Sequence, residues 1–303
     1  MKIKTSENID KLSPTDDNFD EQIDSLHIIE SADGSFIEFA DLKPEILESD
    51  VPIVLLGGMA TDIRSVKKAA RTIFNQGRRV IIINQPLRSK DANDKTVHND
   101  IHPYHSTNAD HMLEVIKELD TEKVDVIAQS EASLYATVAA LQQPDKIRNL
   151  VIFTGSGLIG KDSYRKLLAR FIIEAAKPRK DITQTINYTA SFMDYVSQKS
   201  YKELKDELKA TASSRIDRPL RDLRDKGVKV IVIQAKSDPV YAHHRIERHV
   251  NVEDNNSHVA KNADVYTSLS DRDATHGTLL FDDSSTRSAV DIIRNLENSS
   301  LEK

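Results

Sequence analysis

Ser130, Asp238 and His276 are the residues whose types and order could do chemistry together. A serine hydroxyl is a poor nucleophile until a base takes its proton, and an imidazole oriented by a carboxylate is such a base. Around the serine, Val124-Asp125-Val126-Ile127-Ala128-Gln129-Ser130-Glu131-Ala132-Ser133-Leu134-Tyr135-Ala136 runs an apolar strand into a small-x-Ser-x-small turn and then a helix. A serine on so tight a strand-to-helix turn projects its hydroxyl above the sheet. Small residues, here Ala128 and Ala132, are needed because the strand and helix backbones approach closely. The helix N-terminus behind the turn favours developing negative charge. Taken alone, the string also fits a polar serine in an ordinary turn.

Two further features join it. Gly57-Gly58-Met59 ends an earlier apolar run, and a glycine pair lets the backbone aim an amide N–H at an oxyanion. Downstream, Ser237-Asp238-Pro239 follows the run Val228–Gln234, and Thr275-His276-Gly277 follows the weaker run Asp264–Leu269. Asp271 and Asp273, close to His276 in sequence, stand as alternative acids. Ser133 lies inside the helix and should face packing. His98, His102, His105 and His111 gather near Asp100 and Asp110, residue types that bind divalent metals. Their spacing matches no metal motif and the segment reads as a solvated loop, so no metal is expected. His243 and His244 read as a helix start, the Glu131 side chain as a partner of its helix dipole, and Arg215–Lys226 as a solvated helix face.

The elements that must position these residues alternate in type. His27–Glu30 and Ser35–Phe39 flank Asp33-Gly34, a hairpin signal. Pro52–Leu56, Arg79–Ile83, Val124–Ala128, Asn149–Phe153 and Val228–Gln234 are short runs rich in Val, Ile and Leu, as in strands covered on both faces. Helical periods over Ile63–Phe74 and Asn108–Leu119 separate them. Strand, helix, strand in succession means right-handed crossovers and a doubly wound sheet. Between Phe153 and Val228 no strand is evident; helical periods at Tyr164–Ala175, Phe192–Val196 and Leu204–Leu208 read as a cap over the sheet, or as further core helices.

On these residues the chain, from about Leu26 to about Leu296, resembles the α/β-hydrolase superfamily. The resemblance rests on Gly57-Gly58-Met59, Ala128-Gln129-Ser130-Glu131-Ala132, Ser237-Asp238-Pro239 and Thr275-His276-Gly277, with the insertion where that superfamily places its cap. Two departures stand out: the elbow glycines are alanines, and Gly57-Gly58 occupies the place of a commoner His-Gly pair. The resemblance implies an α/β fold with a mostly parallel eight-stranded sheet flanked by helices and a helical cap after the sixth strand. It implies Ser130 as nucleophile, Asp238 as acid, His276 as base, and the backbone N–H groups of Met59 and Glu131 as the oxyanion hole. The implied activity is hydrolysis of a carboxylic ester or related acyl bond in a small-molecule substrate, without cofactor. The alternative is a weakly active or non-enzymatic small-molecule-binding protein on the same fold.

Composition bounds these readings. The 303 residues carry 42 basic and 48 acidic side chains, a formal charge of −6, which argues against a general nucleic-acid binder. A hydrophobic share of 39% suffices for a sizeable core. No apolar run approaches the roughly 20 residues of a bilayer-spanning helix. With no cysteine there is no disulfide, thiolate metal site or cysteine nucleophile. The N-terminus shows no apolar leader, so a cytoplasmic protein is expected. Residues 1–25 read as a polar tail, 26–155 and 227–298 as the two parts of the core, 156–226 as the cap and 299–303 as a tail.

Overall fold

Each of the apolar runs forms a strand, and the central ones are covered on both faces. A computed structural model describes residues 16–84, 94–175, 186, 190, 193–250, 262–269, 276 and 283–301. The strands are β1 (His27–Glu30), β2 (Phe36–Leu42), β3 (Ser49–Leu56), β4 (Arg78–Asn84), β5 (Val124–Gln129), β6 (Ile147–Phe153), β7 (Lys229–Ala235) and β8 (Val265–Leu269). They make one sheet in the order β1-β2-β4-β3-β5-β6-β7-β8. β2 runs antiparallel to β1 and β4, and the remaining pairings are parallel.

Helices α1 (Asp16–Asp24), α2 (Ile63–Phe74), α3 (His105–Glu118), α4 (Ala132–Gln142), α5 (Tyr164–Ala175), α6 (Tyr201–Ser213), α7 (Asp217–Asp225), α8 (His243–Val250) and α9 (Asp283–Leu301) connect or cover them. Alternation along β3 sends Val54 and Leu56 into the core shared with α3, α4 and α7, and Ile53 and Leu55 into the core shared with α1, α2 and α9. Burial on both faces is why these strands read as unbroken apolar runs. The chain passes from β3 through α2 to β4 on one side, then returns to place β5 on the other side of β3. That reversal opens a crevice beyond the carboxyl ends of β3 and β5, where ligands bind in open α/β sheets.

Three expectations change. The polar tail over residues 1–25 becomes helix α1 across Asp16–Asp24, because Phe19 and Ile23 reach the core beside Phe74; residues 1–15 lie outside the described set. The tail from 299 is helical through Leu301. The insertion expected over 156–226 divides. α7 packs against α4 and β7 through Leu220 and Leu223 and is a core helix, whereas α5 and α6 pack on each other. Among the described residues, no helix is long and apolar enough to cross a membrane.

At the opposite ends of the strands from the crevice, charge is clamped inside the protein. Arg78, fully buried, donates to Asp125 Oδ2 at 3.0 Å, to both oxygens of Glu297 at 3.1 Å and to the Val51 carbonyl at 3.1 Å. Arg148 Nε and Asn149 Nδ2 both donate to Asp125 Oδ1, at 2.9 and 2.6 Å, and Arg148 also reaches Glu297. Burial opposes ionisation of Glu297, but Arg78 and Arg148 outweigh it and hold its carboxyl below the usual range. Removing one partner leaves buried charge uncompensated, so Arg78→Met should cost about 3–5 kcal/mol in urea unfolding with an unchanged m value. A loss under about 1 kcal/mol would mean the clamp is not what ties α9 to the sheet. Glu297's stabilisation is present above the ordinary carboxylate value of 4.5 and lost as the pH falls through its lowered value. Glu297→Gln should therefore flatten the acid limb of the stability curve.

Candidate active site

Ser130 follows β5 directly, and its backbone is left-handed, with φ 53°. For a residue with a Cβ this conformation costs roughly 1–2 kcal/mol and persists only when neighbours over-determine it. They do so here. The Ser130 N–H donates to the Phe153 carbonyl at 3.0 Å, and the Ser130 carbonyl accepts from Ser156 N at 3.0 Å and Ser133 Oγ at 2.6 Å. Gly58 lies against the turn: a Cβ there would stand 2.8 Å from Ser130 Cβ and 3.3 Å from the Gln129 carbonyl. The loop at Gly58 and the elbow can approach this closely only because that position has no side chain.

The three residues expected from the sequence meet. His276 Nε2 is 2.8 Å from Ser130 Oγ, and His276 Nδ1 is 3.0 Å from Asp238 Oδ2. All three are buried. Asp238 Oδ1 accepts from the Val240 and Tyr241 amides at 2.7 and 3.1 Å, which fixes the carboxylate. With the Nδ1 proton directed at Asp238, Nε2 presents its lone pair to the serine hydroxyl. Asp271 and Asp273 lie outside the described residues; the acid that bonds His276 is Asp238. Ser133 packs inward, its hydroxyl used by the elbow backbone.

The surrounding groups were less legible. Gln129, the last residue of β5, bridges the two loops that flank the elbow. Its Oε1 accepts from the Gly58 amide at 3.1 Å and its Nε2 donates to the His276 carbonyl at 2.9 Å. The Gly58 amide is thereby committed, and the next amide of that loop is Met59's. Gln234 plays a matching part behind the acid, donating to the Tyr241 carbonyl at 2.8 Å and to Asp238 at 3.3 Å. The available signal was a glutamine inside a fully buried strand, an amide that must find partners. Tyr241 carried no such signal. Its hydroxyl bonds Ser156 Oγ and reaches the Ser130 side chain. Its ring stands edge-on to His276 at 5.1 Å, with Phe171 of α5 edge-on at 5.9 Å.

No protein-family model and no curated protein matches the sequence. Solved structures do match the fold. A carboxylesterase from Bacillus subtilis superposes with a TM-score of 0.61 at 12% identity, over 90% of this chain and 94% of that one. A bromoperoxidase from Bacillus anthracis gives 0.62 at 13% identity, over 89% and 100%. A meta-cleavage product hydrolase from Pseudomonas fluorescens gives 0.59 at 13% identity, over 89% and 98%. The chain has the α/β-hydrolase fold.

Within that fold two side-chain expectations need correction. The segment holding His98, His102, His105 and His111 is not a solvated loop throughout, because α3 begins at His105 and buries both His105 and His111. The four imidazoles diverge: His98 faces Asp222 at 3.4 Å, His102 Nδ1 accepts from the Tyr104 amide, and His111 bonds Asp33 at 3.2 Å. Among the described residues, no group of three or more acidic and histidine side chains could hold a metal. The Glu131 side chain, read as a partner of its helix dipole, makes no capping hydrogen bond to α4. It is buried against α6, where Thr211 Oγ1 donates to it at 3.2 Å. His243 does open a helix, α8, and the charge run before Gly227 presents Leu220 and Leu223 inward on α7.

Burial drives the Tyr241 phenol well above its ordinary value of 10, with the Asp238 charge acting in the same direction. A group raised in the folded state stabilises the fold below its unfolded value and loses that contribution as the pH climbs through the folded one. In a spectrophotometric titration, Tyr241→Phe should therefore match the parent curve through the ordinary tyrosine range. A missing tyrosine step below about pH 10.5 in the variant would contradict a dry hydroxyl beside Ser130.

Proposed function

We propose that this chain is a serine hydrolase that cleaves a carboxylic ester or related acyl bond of a small molecule. The 2.8 Å contact between His276 Nε2 and Ser130 Oγ, with Asp238 behind the imidazole, is the observation that carries the reading. Ser130 Oγ attacks the acyl carbon while His276 Nε2 takes its proton, and Asp238 stabilises the imidazolium. The carbonyl oxygen, now negative, is held by the amides of Met59 and Glu131, at the N-terminus of α4. Collapse of this intermediate expels the alcohol, protonated by His276, and leaves an acyl-serine. Water, deprotonated by His276, attacks the acyl carbon, and release of the acid restores Ser130.

Fold likeness at 12–13% identity supports the architecture alone; solved neighbours bear names as different as carboxylesterase and bromoperoxidase. The acyl-bond reading is drawn from the site. In it, α5 and α6 form the cap: Phe171 closes one side of His276, and Thr211 reaches the residue after the nucleophile. Such a cover would exclude water and select the acyl group.

Hydrolysis of p-nitrophenyl acyl esters by the full chain tests this. Ser130→Ala and His276→Ala should each lower kcat by about 10³-fold or more, and the double variant should be no slower than either single one, because the pair acts as a unit. Asp238→Asn should lose about 10⁴-fold. Turnover that survives Ser130→Ala within tenfold would overturn the assignment.

A further inference from the structure

Behind the elbow, between α4 and the insertion, lies a second cluster of buried ionisable side chains that the acyl-transfer steps do not use. Glu131, at 4% exposure, accepts from Thr211 of α6. One turn earlier on α6, Glu207 is also buried and accepts from Lys199 Nζ at 2.8 Å and from the Tyr195 hydroxyl. The Lys199 ammonium additionally bonds Tyr195 and lies 3.9 Å from that ring's centroid, so it is engaged on the Glu207 side. The fully buried imidazole of His105, on α3, stands 3.8 Å from Glu131 Oε1, beyond hydrogen-bond distance. Among the described residues, Tyr104 and Tyr241 also face the cluster. Glu207 and Lys199 neutralise each other; a charge on Glu131 would be the surplus one, placed one residue from the nucleophile.

We propose that Glu131 is a positioning residue that couples the insertion to the oxyanion-binding amide only as the neutral acid, so that its ionisation as the pH rises shuts the site. The inference rests on the reading of Ser130 as nucleophile. Two effects of ionisation act in the same direction. A carboxylate beside the Glu131 amide opposes the negative charge that must develop on the substrate oxygen. It also repels Glu207, loosening α6 from α4. Burial and the Glu207 charge both push the Glu131 carboxyl well above its ordinary range, against the weaker pull of Lys199 and Thr211.

The test uses two readouts on the full chain. The first is the ratio of alkaline to neutral kcat/KM for a p-nitrophenyl ester. The parent should show an alkaline loss that is absent from Glu131→Gln, which cannot ionise. Glu207→Gln removes the repelling charge and frees Lys199 for Glu131, so the same loss should move to lower pH by about one unit. A merely structural role would leave all three profiles parallel. The second readout needs no turnover. Unfolding lets Glu131 ionise, so the parent should lose stability as pH rises from the ordinary carboxyl value toward the raised one. The Tm of Glu131→Gln should therefore gain steadily on the parent as the pH is raised above about 5. Parallel Tm curves, or a gap that opens toward acid as for a Glu131 carboxylate paired with protonated His105, would overturn the proposal. An inactive parent with the expected Tm divergence would leave Glu131 neutral and remove the nucleophile reading instead.

Discussion

The left-handed backbone at Ser130 is the constraint on which the site depends. A residue with a Cβ resists that conformation, so the energy must come from interactions made elsewhere. Strand β5 supplies part of it, being buried at every position from Val124 to Gln129 and hydrogen-bonded on both sides, to β3 and β6. The end of β6 and the loop after it supply more, through Phe153 and Ser156. Gly58 supplies space. Because the turn is held this way, the serine oxygen stands above the sheet, beside the crevice at the β3–β5 reversal, where His276 meets it.

The same central strands carry two largely buried polar systems, one at each end. Near the amino end of β5, Asp125 gathers Arg78, Arg148 and Asn149, and Glu297 of α9 joins the two guanidiniums. Beyond its carboxyl end, Ser130, His276 and Asp238 form a hydrogen-bonded chain, with Gln129 and Gln234 fixing the loops around it. In a medium of low dielectric, paired charges hold firmly and unpaired ones are costly. The first system ties α9 to the sheet; the second keeps an imidazole and a hydroxyl in register. Only the second meets the crevice.

Much of this was legible in the sequence because the signals were periodic or compositional. Unbroken Val/Ile/Leu runs identified strands buried on both faces, and the order of Ser130, Asp238 and His276 placed each after its own strand. The less legible parts are those where one side chain overrides its segment. Phe19 and Ile23 draw a polar, acidic stretch into helix α1. His105 and His111 look solvated among polar neighbours, yet both face inward from α3. Tyr241 and Gln129 act through partners distant in sequence, and Glu131 is buried by an insertion whose packing no local pattern specifies. The boundary of that insertion was blurred for the same reason, since α7 has the periodicity of any amphipathic helix and only its contact with α4 makes it core.

Reaction of the purified chain with a fluorophosphonate, read by intact mass and peptide mapping, bears most directly on the central claim. An activated serine gives one stoichiometric adduct on Ser130, lost in Ser130→Ala and strongly slowed in His276→Ala. A folded parent that stays unlabelled, or an adduct that maps to another residue, would contradict it.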